Sequence, residues 1–490
     1  MNFAREILES RDPQALALLE LSREGARREW SFGEVSDRSA RLAGTLEGLG
    51  IGRGEVVMTL IGNRPEWVLA MNACFRIGAV VLPCTEQLRA KDLRLRIEVA
   101  RPALLLADER NRGELEEASC GVKVLYVPDE SLFEHAAAPI AELDEGDPCL
   151  ITFTSGTAGE PKAVLHGQRY LLGQRLQAAY WLGARPGELV WCTAASGWSK
   201  SARNVFIAPW LSGAAALLHD ARFDPHERLE LLEREQVSVL CMAPTEYRVI
   251  AKRASLRPLS ALRAMVAAGE ALNPEVLRAW KDATGLEIRD GYGQTETGQL
   301  TGAPHNEAAR PGSMGRPLPG VELSLQDGEL VLDPASVPTF FLGYLGEHVQ
   351  RGKDGSWQIA DRRQAGPWHT GDRVVEEDGW LYFEGRNDDV IVSAGDRIGP
   401  FEVESALVAH PAVAEAAAVA APDEERGSVV RAVVVLRDST KAHTPELVRE
   451  LQEHVKRETA PYKYPRIIDF AAELPKTASG KIRRAELRAS

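Results

Sequence analysis

Apolar and polar positions along this chain repeat at two periods, and the switches between them mark its elements. Over residues 38–49 the apolar positions are Ala40, Leu42, Ala43, Leu46 and Leu49, the spacing of one helix face, and Gly50 ends the run. Val56-Val57-Met58-Thr59-Leu60-Ile61 is an almost unbroken apolar run and predicts a buried strand. Residues 67–77 predict a helix and 79–82 the next strand. The rhythm resumes after residue 150. A strand is predicted over 237–242, reached from a helix that Asp224-Pro225 starts. Asn273-Pro274 starts another helix, with Val276, Leu277 and Trp280 on one face and Gly285 as its stop. An Asx before a proline is the expected N-cap and first helical position. Further strands are expected over 264–268 and 286–289.

Between residues 312 and 383 the pattern breaks into short strands among many glycines and prolines, a β-rich stretch. Near 386 it changes again. Helices are predicted over 400–410 and from Thr444-Pro445 to about 456, and strands over 413–419, 429–436 and 467–470. The expected fold is α/β. A large N-terminal domain, 1–387, combines layered α/β subdomains with a β-rich subdomain, and a small α+β C-terminal domain spans 388–490.

Composition adds exclusions. With 490 residues, 44% hydrophobic and 26% charged, the chain is globular and long enough for two or more domains. The net charge of −13 argues against nonspecific binding to nucleic acid or anionic membranes. No apolar run approaches the roughly 18 residues of a membrane helix. The N-terminus is charged from Arg5 onward and lacks an apolar leader core. Six scattered cysteines, at 74, 84, 120, 149, 192 and 241, form no CxxC pair, and are expected as small buried residues in a reducing cytoplasm. A homo-oligomer is left open.

The candidate chemistry starts at residues 150–164, LITFTSGTAGEPKAV. An apolar strand runs into Thr154-Ser155-Gly156-Thr157-Ala158-Gly159-Glu160-Pro161-Lys162. Two glycines admit close backbone approach, and hydroxyls and a lysine supply donors suited to phosphates. A Walker A loop is excluded, because Lys162 is preceded by proline and followed by Ala163. The dinucleotide pattern is excluded too, since Gly291 and Gly293 are followed by Glu296 in place of a third glycine.

The loop resembles instead the phosphate loop of the adenylate-forming superfamily: acyl-CoA synthetases, luciferases and peptide-synthetase adenylation domains. Its pattern there is TSGTTGxPKG, with departures here at Ala158 and Ala163. Asp290-Gly291-Tyr292-Gly293-Gln294-Thr295-Glu296 resembles the second signature, and Gly269-Glu270-Ala271 the other adenine wall. The resemblance implies that Tyr292 stacks on adenine. It implies Mg²⁺ held at Glu296 with Thr157, and Thr295 and Glu296 among the catalytic residues. Asp372, in His369-Thr370-Gly371-Asp372, matches the ribose-binding aspartate, and a carboxylate suits a diol because it accepts two hydroxyl hydrogens. Arg386 matches a ribose or phosphate ligand and Asp388 the hinge of a mobile C-terminal domain. Residues 475–481, PKTASGK, match the final signature, which implies Lys481 as the adenylation lysine.

Smaller matches resemble the medium-chain acyl-CoA synthetase branch. They include Gly197-Trp198-Ser199-Lys200-Ser201 and Ala243-Pro244-Thr245-Glu246-Tyr247-Arg248. By that resemblance Gln87, Ala394, Gly395, Asp396, Arg397, Arg426 and Lys456 face CoA, and Trp198, Tyr247 and Gly293 line the acyl pocket. The branch usually has an aromatic where this chain has Asp396. Acetyl-specific relatives place a tryptophan where this chain has Gly293, which implies room for medium-chain, branched or aromatic acids. The implied activity joins a carboxylate to CoA with ATP, through an acyl-adenylate, giving AMP and pyrophosphate. Rival readings are a ligase that loads a carrier-protein arm, a short-chain ligase for acetate or propionate, a phosphotransferase and a non-catalytic nucleotide binder.

Overall fold

The computed structural model describes residues 1–119, 121–154, 161–269, 272, 274–352, 354–393, 396–438, 443–476 and 481–489. Two large sheets stand at its centre. In one, nine strands follow the spatial order Arg316–Pro317, Gly298–Gly302, Ile288–Gln294, Ala264–Ala268, Val239–Met242, Leu189–Cys192, Ala215–His219, Leu16–Leu21 and Arg27–Ser31. Those from Ile288–Gln294 to Leu16–Leu21 run parallel. In the other, seven strands follow the order Gly343–Tyr344, Ala163–Gly167, Pro148–Phe153, Val80–Cys84, Val56–Leu60, Leu104–Asp108 and Val124–Val127. The last five are parallel. Strands Val56–Leu60, Val80–Cys84 and Ala264–Ala268 are buried at every position. That is why they read as continuous apolar runs: parallel strands are covered on both faces.

The helices sit where the apolar stripes place them, with caps that move some of the ends. Phe32–Gly48 begins six residues before the predicted start. Ser31 and Glu34 close a capping box, with Ser31 Oγ accepting from Glu34 N at 3.1 Å and Glu34 accepting from Ser31 N at 2.8 Å. Asp224 caps Pro225–Arg234 by accepting from the His226 and Glu227 amides, both at 2.9 Å. The helix Pro274–Thr284 forms as expected, while Asn273, its expected cap, lies outside the described residues.

One strand differs in a way that matters for the site. The stretch predicted as a strand over 286–289 is Ile288–Gln294, so the glycine-rich segment belongs to the sheet. Its partner Gly298–Gly302 runs antiparallel, pairing Gly291 with Gly302 and Tyr292 with Thr301. Glycine on both strands permits the close approach that a polar sequence pattern conceals.

A four-stranded antiparallel sheet, Leu323–Gln326, Glu329–Leu332, Trp368–Glu377 and Trp380–Arg386, forms the β-rich part. Beyond it, helices Pro400–Ala409 and Pro445–Glu458 pack with strands Val413–Asp423, Gly427–Leu436 and Ile467–Phe470 around Ile391, Val403, Leu407, Val434 and Leu451. Cys74, Cys84, Cys149, Cys192 and Cys241 are free and buried, and Cys120 lies outside the described residues. No described helix is long and apolar enough to cross a membrane.

Candidate active site

A cleft of about 2480 Å³ opens at the carboxyl ends of the parallel strands of both sheets. Cys192, His219, Met242 and Ala268 end four of the strands that reach it, and Phe153 ends one from the second sheet. This is where ligands gather in open α/β sheets, because the strands stop there and the loops diverge. The volume exceeds that of a site for one small ligand, and suits several substrates together.

Thr154 and Lys162 form the neck of the expected phosphate loop. Thr154 N donates to Lys162 O at 2.9 Å, and Lys162 N donates to Thr154 Oγ1 at 2.9 Å. The chain enters from Pro148–Phe153 and returns as the antiparallel strand Ala163–Gly167. Ser155, Gly156, Thr157, Ala158 and Gly159 lie outside the described residues, as do Glu270 and Ala271. Lys162 Nζ lies 2.7 Å from Glu347 and 4.6 Å from the Tyr344 ring centre. It faces the cleft already paired, and a phosphate there would compete with Glu347.

Asp372 is the hub of the opposite wall. It is 4% exposed. The Tyr292 hydroxyl donates to its Oδ2, and Gln294 Nε2 donates to the same oxygen at 2.8 Å. Arg386 Nη1 reaches Oδ1 at 3.3 Å. Trp368 Nε1 holds Gln294 Oε1 at 3.1 Å and fixes the amide orientation. Burial raises the Asp372 pKa above the ordinary aspartate range, while Arg386, Tyr292 and Gln294 pull it back. Of four acceptor positions on the carboxylate, these three donors occupy most, so a ribose diol must displace one of them. Arg386, with the longest contact, is the weakest held.

Thr295 and Glu296 sit in the turn between the two glycine-rich strands, and both line the cleft. Glu296 is 9% exposed and accepts from the Tyr344 hydroxyl at 2.7 Å. Among the described residues it has no basic partner within 4 Å. Asp290 and Gly269 line the same cleft. Burial pushes the Asp290 carboxyl well above its usual pKa, against the 2.8 Å bond from Gly291 N.

From the C-terminal part, Lys481 lines the cleft with Asp372 and Arg386. Asp388 lies in the turn after Trp380–Arg386, where Arg386 Nε reaches its carboxylate at 3.3 Å and Arg488 donates to its carbonyl at 3.2 Å. The residues expected to face CoA are not brought together. Gln87 is exposed on the cleft. Asp396, Arg426 and Lys456 do not line it. The Arg426 amide donates to Asp423 Oδ1 at 2.9 Å, and Lys456 pairs with Glu453 at 2.7 Å beside the Tyr464 ring. Ala394, Gly395 and the side chain of Arg397 lie outside the described residues.

The acyl-pocket expectations divide. Trp198 lines the cleft. Its turn is seated by Gly197, at φ +89°, where a Cβ would collide with the Cys84 and Thr85 backbone. Tyr247 does not line the cleft. It is fully buried on the other face of the helix Pro244–Arg253, and its hydroxyl donates to Leu240 O at 3.2 Å and Val266 O at 3.1 Å. Gly293 lines the cleft, but a Cβ there would strike the Gly298 carbonyl of the paired strand. The missing tryptophan therefore leaves no open slot along that direction.

Arg203 and Asn204 line the cleft and had no place in any sequence match, and Lys200 had one only within the match at 197–201. The one signal for Arg203 was a charge inside the apolar run 202–211. Tyr344 was also missed, since it lies some fifty residues from Glu296 in no recognisable motif.

Comparison with known proteins follows the same outline. The AMP-binding enzyme family matches residues 7–347, and the AMP-binding enzyme C-terminal domain matches 402–481. The chain is 40% identical over 503 aligned positions to the uncharacterized acyl-CoA ligase YtcI of Bacillus subtilis (strain 168), covering 97% of this chain and 93% of that one. It is 36% identical over 525 positions to the mitochondrial acyl-coenzyme A synthetase ACSM3 of Homo sapiens, covering 99% and 89%. Its fold matches the anthranilate CoA ligase AuaEII in complex with anthranoyl-AMP, with a TM-score of 0.87 and 28% identity, covering 100% of this chain and 97% of that one.

Proposed function

This chain belongs to the AMP-binding enzyme family and is an AMP-forming acid–CoA ligase, and from that premise we propose how its residues divide the work. In the first half-reaction a carboxylate oxygen attacks the α-phosphorus of ATP. The bond to the β-phosphate oxygen breaks and pyrophosphate leaves. Lys481 stabilises the charge that builds between the carboxylate and the α-phosphate. Lys162 exchanges Glu347 for the outer phosphates. Tyr292 packs on adenine and Asp372 accepts from the ribose as Arg386 swings away. In the second half-reaction the CoA thiol sulfur attacks the acyl carbonyl, its proton passes to solvent, and AMP leaves.

The observation that carries this reading is that Lys481 lines the same cleft as Asp372 and Arg386, while Asp396, Arg426 and Lys456 do not. That arrangement suits adenylation. Thioester formation then calls for residues 388–490 to turn about Asp388 and bring the CoA-facing set inward. Free CoA is the proposed acceptor, because Arg426 and Lys456 suit its phosphates. The compartment is read as a reducing one, from the free buried thiols.

Magnesium fits as the companion of ATP. Glu296 offers a nearly buried carboxylate on the cleft with one oxygen taken by Tyr344 and no described cation beside it, and Thr157 is the second proposed ligand. The ion would neutralise phosphate charge there. The test is a product assay with a carboxylic acid, ATP and CoA. Release of AMP and pyrophosphate is expected, and formation of ADP would reject the reading.

A further inference from the structure

Lys200, Arg203 and Asn204 form one wall of the cleft, below the Gly197-Trp198 turn. Lys200 and Arg203 are three residues apart at the start of a helical segment whose first full turn, Arg203–Ile207, is a π-turn, a feature found often at functional sites. Lys200 is half-buried, and its Nζ lies 3.3 Å from where a Cβ on Gly269 would stand. Arg203 is 4% exposed. Its guanidinium lies beside the Tyr170 hydroxyl and the His166 ring, and its Nε and Nη1 have no hydrogen-bond partner among the described residues. No described carboxylate lies within 4 Å of either cation.

Of the arginines on this cleft, Arg228 is the other buried one and is matched, as is Arg110, while Arg222, Arg248 and Arg253 lie more exposed without an acid partner among the described residues. Arg228 rests on the Trp191 ring at 4.4 Å with Glu246 at 3.7 Å, and Arg110 pairs with Asp220 at 2.8 Å. Arg203 is buried as Arg228 is, but without an acid partner among the described residues. A buried charge without a partner is unfavourable, and it persists where something else supplies the counter-charge. Around it the wall is polar. Asn204 lines the cleft beside it, and its Oδ1 accepts from Nε2 of Gln177, buried behind the wall, at 3.0 Å. An alkyl tail laid here would desolvate these groups and return no hydrogen bond. A second carboxylate would meet a forked donor of opposite charge.

We propose that the acyl end of this cleft selects acids carrying a second carboxylate, held by Arg203 with Lys200 adding positive potential. The proposal rests on the acid-activating reading above. It narrows the substrate to dicarboxylic acids, in place of the medium-chain, branched or aromatic acids that the sequence resemblance implied.

The test uses the full-length enzyme in a pyrophosphate-release assay with ATP, Mg²⁺ and CoA. Butyrate, hexanoate and octanoate are compared with succinate, adipate and suberate, which match them in carbon number. The wild type is expected to favour the best diacid over its matched monoacid in kcat/KM by roughly tenfold or more, with the gain mostly in KM. Arg203→Leu is expected to erase or invert that ratio, and Arg203→Lys to keep part of it. Since Arg203→Leu can also disturb packing, the wild-type ratio and the Arg203→Lys ratio stand as independent readouts. A wild type that prefers the monoacid at every length overturns the proposal and leaves the ligase reading intact. So does a folded Arg203→Leu enzyme with an unchanged ratio. A wild type that releases pyrophosphate with none of the six acids, but does so with a branched or aromatic monoacid, also overturns the proposal and leaves the ligase reading intact.

Discussion

The two ends of the cleft solve opposite electrostatic problems. At the end proposed for the nucleotide, Asp372 is a buried acceptor already met by Tyr292, Gln294 and Arg386, and Glu296 is met by Tyr344. At the end proposed for the acyl group, Arg203 Nε and Nη1 lack a described partner, and neither Arg203 nor Lys200 has a described carboxylate within 4 Å. A ligand at the first end trades bonds with the protein, so its net gain per contact is small. A ligand at the second end completes bonds that are absent, and a ligand that cannot complete them is penalised. The nucleotide end thus suits a substrate common to every turnover, and the acyl end suits discrimination between acids.

The largest effect that separates the two ends is expected from Lys481→Ala. One lost charge-assisted contact in a transition state costs on the order of 10²–10³ in rate. Adenylation should fall by that amount for every acid, while thioester formation from supplied acyl-AMP should change little. The measurement is pyrophosphate release alongside acyl-CoA formation from synthetic acyl-AMP. Equal losses in both half-reactions would remove Lys481 from its assigned place. A loss that differed between diacids and monoacids would blur the separation of the two ends.

Asp372→Asn comes next. It keeps the shape of the hub and removes its charge, and a hydrogen bond to a charged group is worth about 1.5–3 kcal/mol. The KM for ATP should rise by roughly tenfold or more while the ratio between acids stays fixed. The pH dependence carries the sign. The folded pKa of Asp372 is raised, and the ionised form is the acceptor. ATP affinity should therefore be lost as pH falls through a value above the ordinary aspartate range, and Asp372→Asn should lack that limb. An unaltered KM in Asp372→Asn would assign the ribose elsewhere.

Much of the nucleotide end was legible in the sequence, and the reason is local. Residues 290–296 lie in one strand and its turn, and Asp372 and Arg386 pair directly across neighbouring strands. Short spans with fixed spacing can show such a site. The acyl end has no such span. Cys192 and Cys241 meet across parallel strands about fifty residues apart in sequence, and Arg203 joins them from a third segment. Tyr247 misled because its neighbours Thr245, Glu246 and Arg248 do line the cleft. On a helix, adjacent residues point about 100° apart, which turns Tyr247 into the core. Gly293 misled because it pairs with Gln299, which puts the Gly298 carbonyl where its Cβ would stand, a contact that no residue pattern announces.

A smaller expected effect concerns stability, and it probes the cationic end from behind. His166 is fully buried, with its ring 4.1 Å from that of Tyr170. Burial, then Arg203 and Arg169, push its pKa down to about 3. In the unfolded chain a histidine titrates near 6.5. Between those values the unfolded state binds a proton that the folded state does not, so stability falls as pH falls from about 6.5 toward 3, by at most about 1.4 kcal/mol per pH unit. His166→Phe should remove that contribution and flatten the acid limb. Arg203→Leu should raise the His166 pKa, because one of its two depressing cations is gone, and so end the loss at a higher pH. Urea unfolding of the three proteins between about pH 7 and 5 compares the slopes for wild type and His166→Phe. Nuclear magnetic resonance titration of the His166 ring in wild type and Arg203→Leu reads the pKa itself. Identical slopes in wild type and His166→Phe would mean that His166 is protonated in the fold. An unmoved His166 pKa in Arg203→Leu would mean that Arg203 is already neutralised where it stands, and the contrast between the two ends of the cleft would collapse.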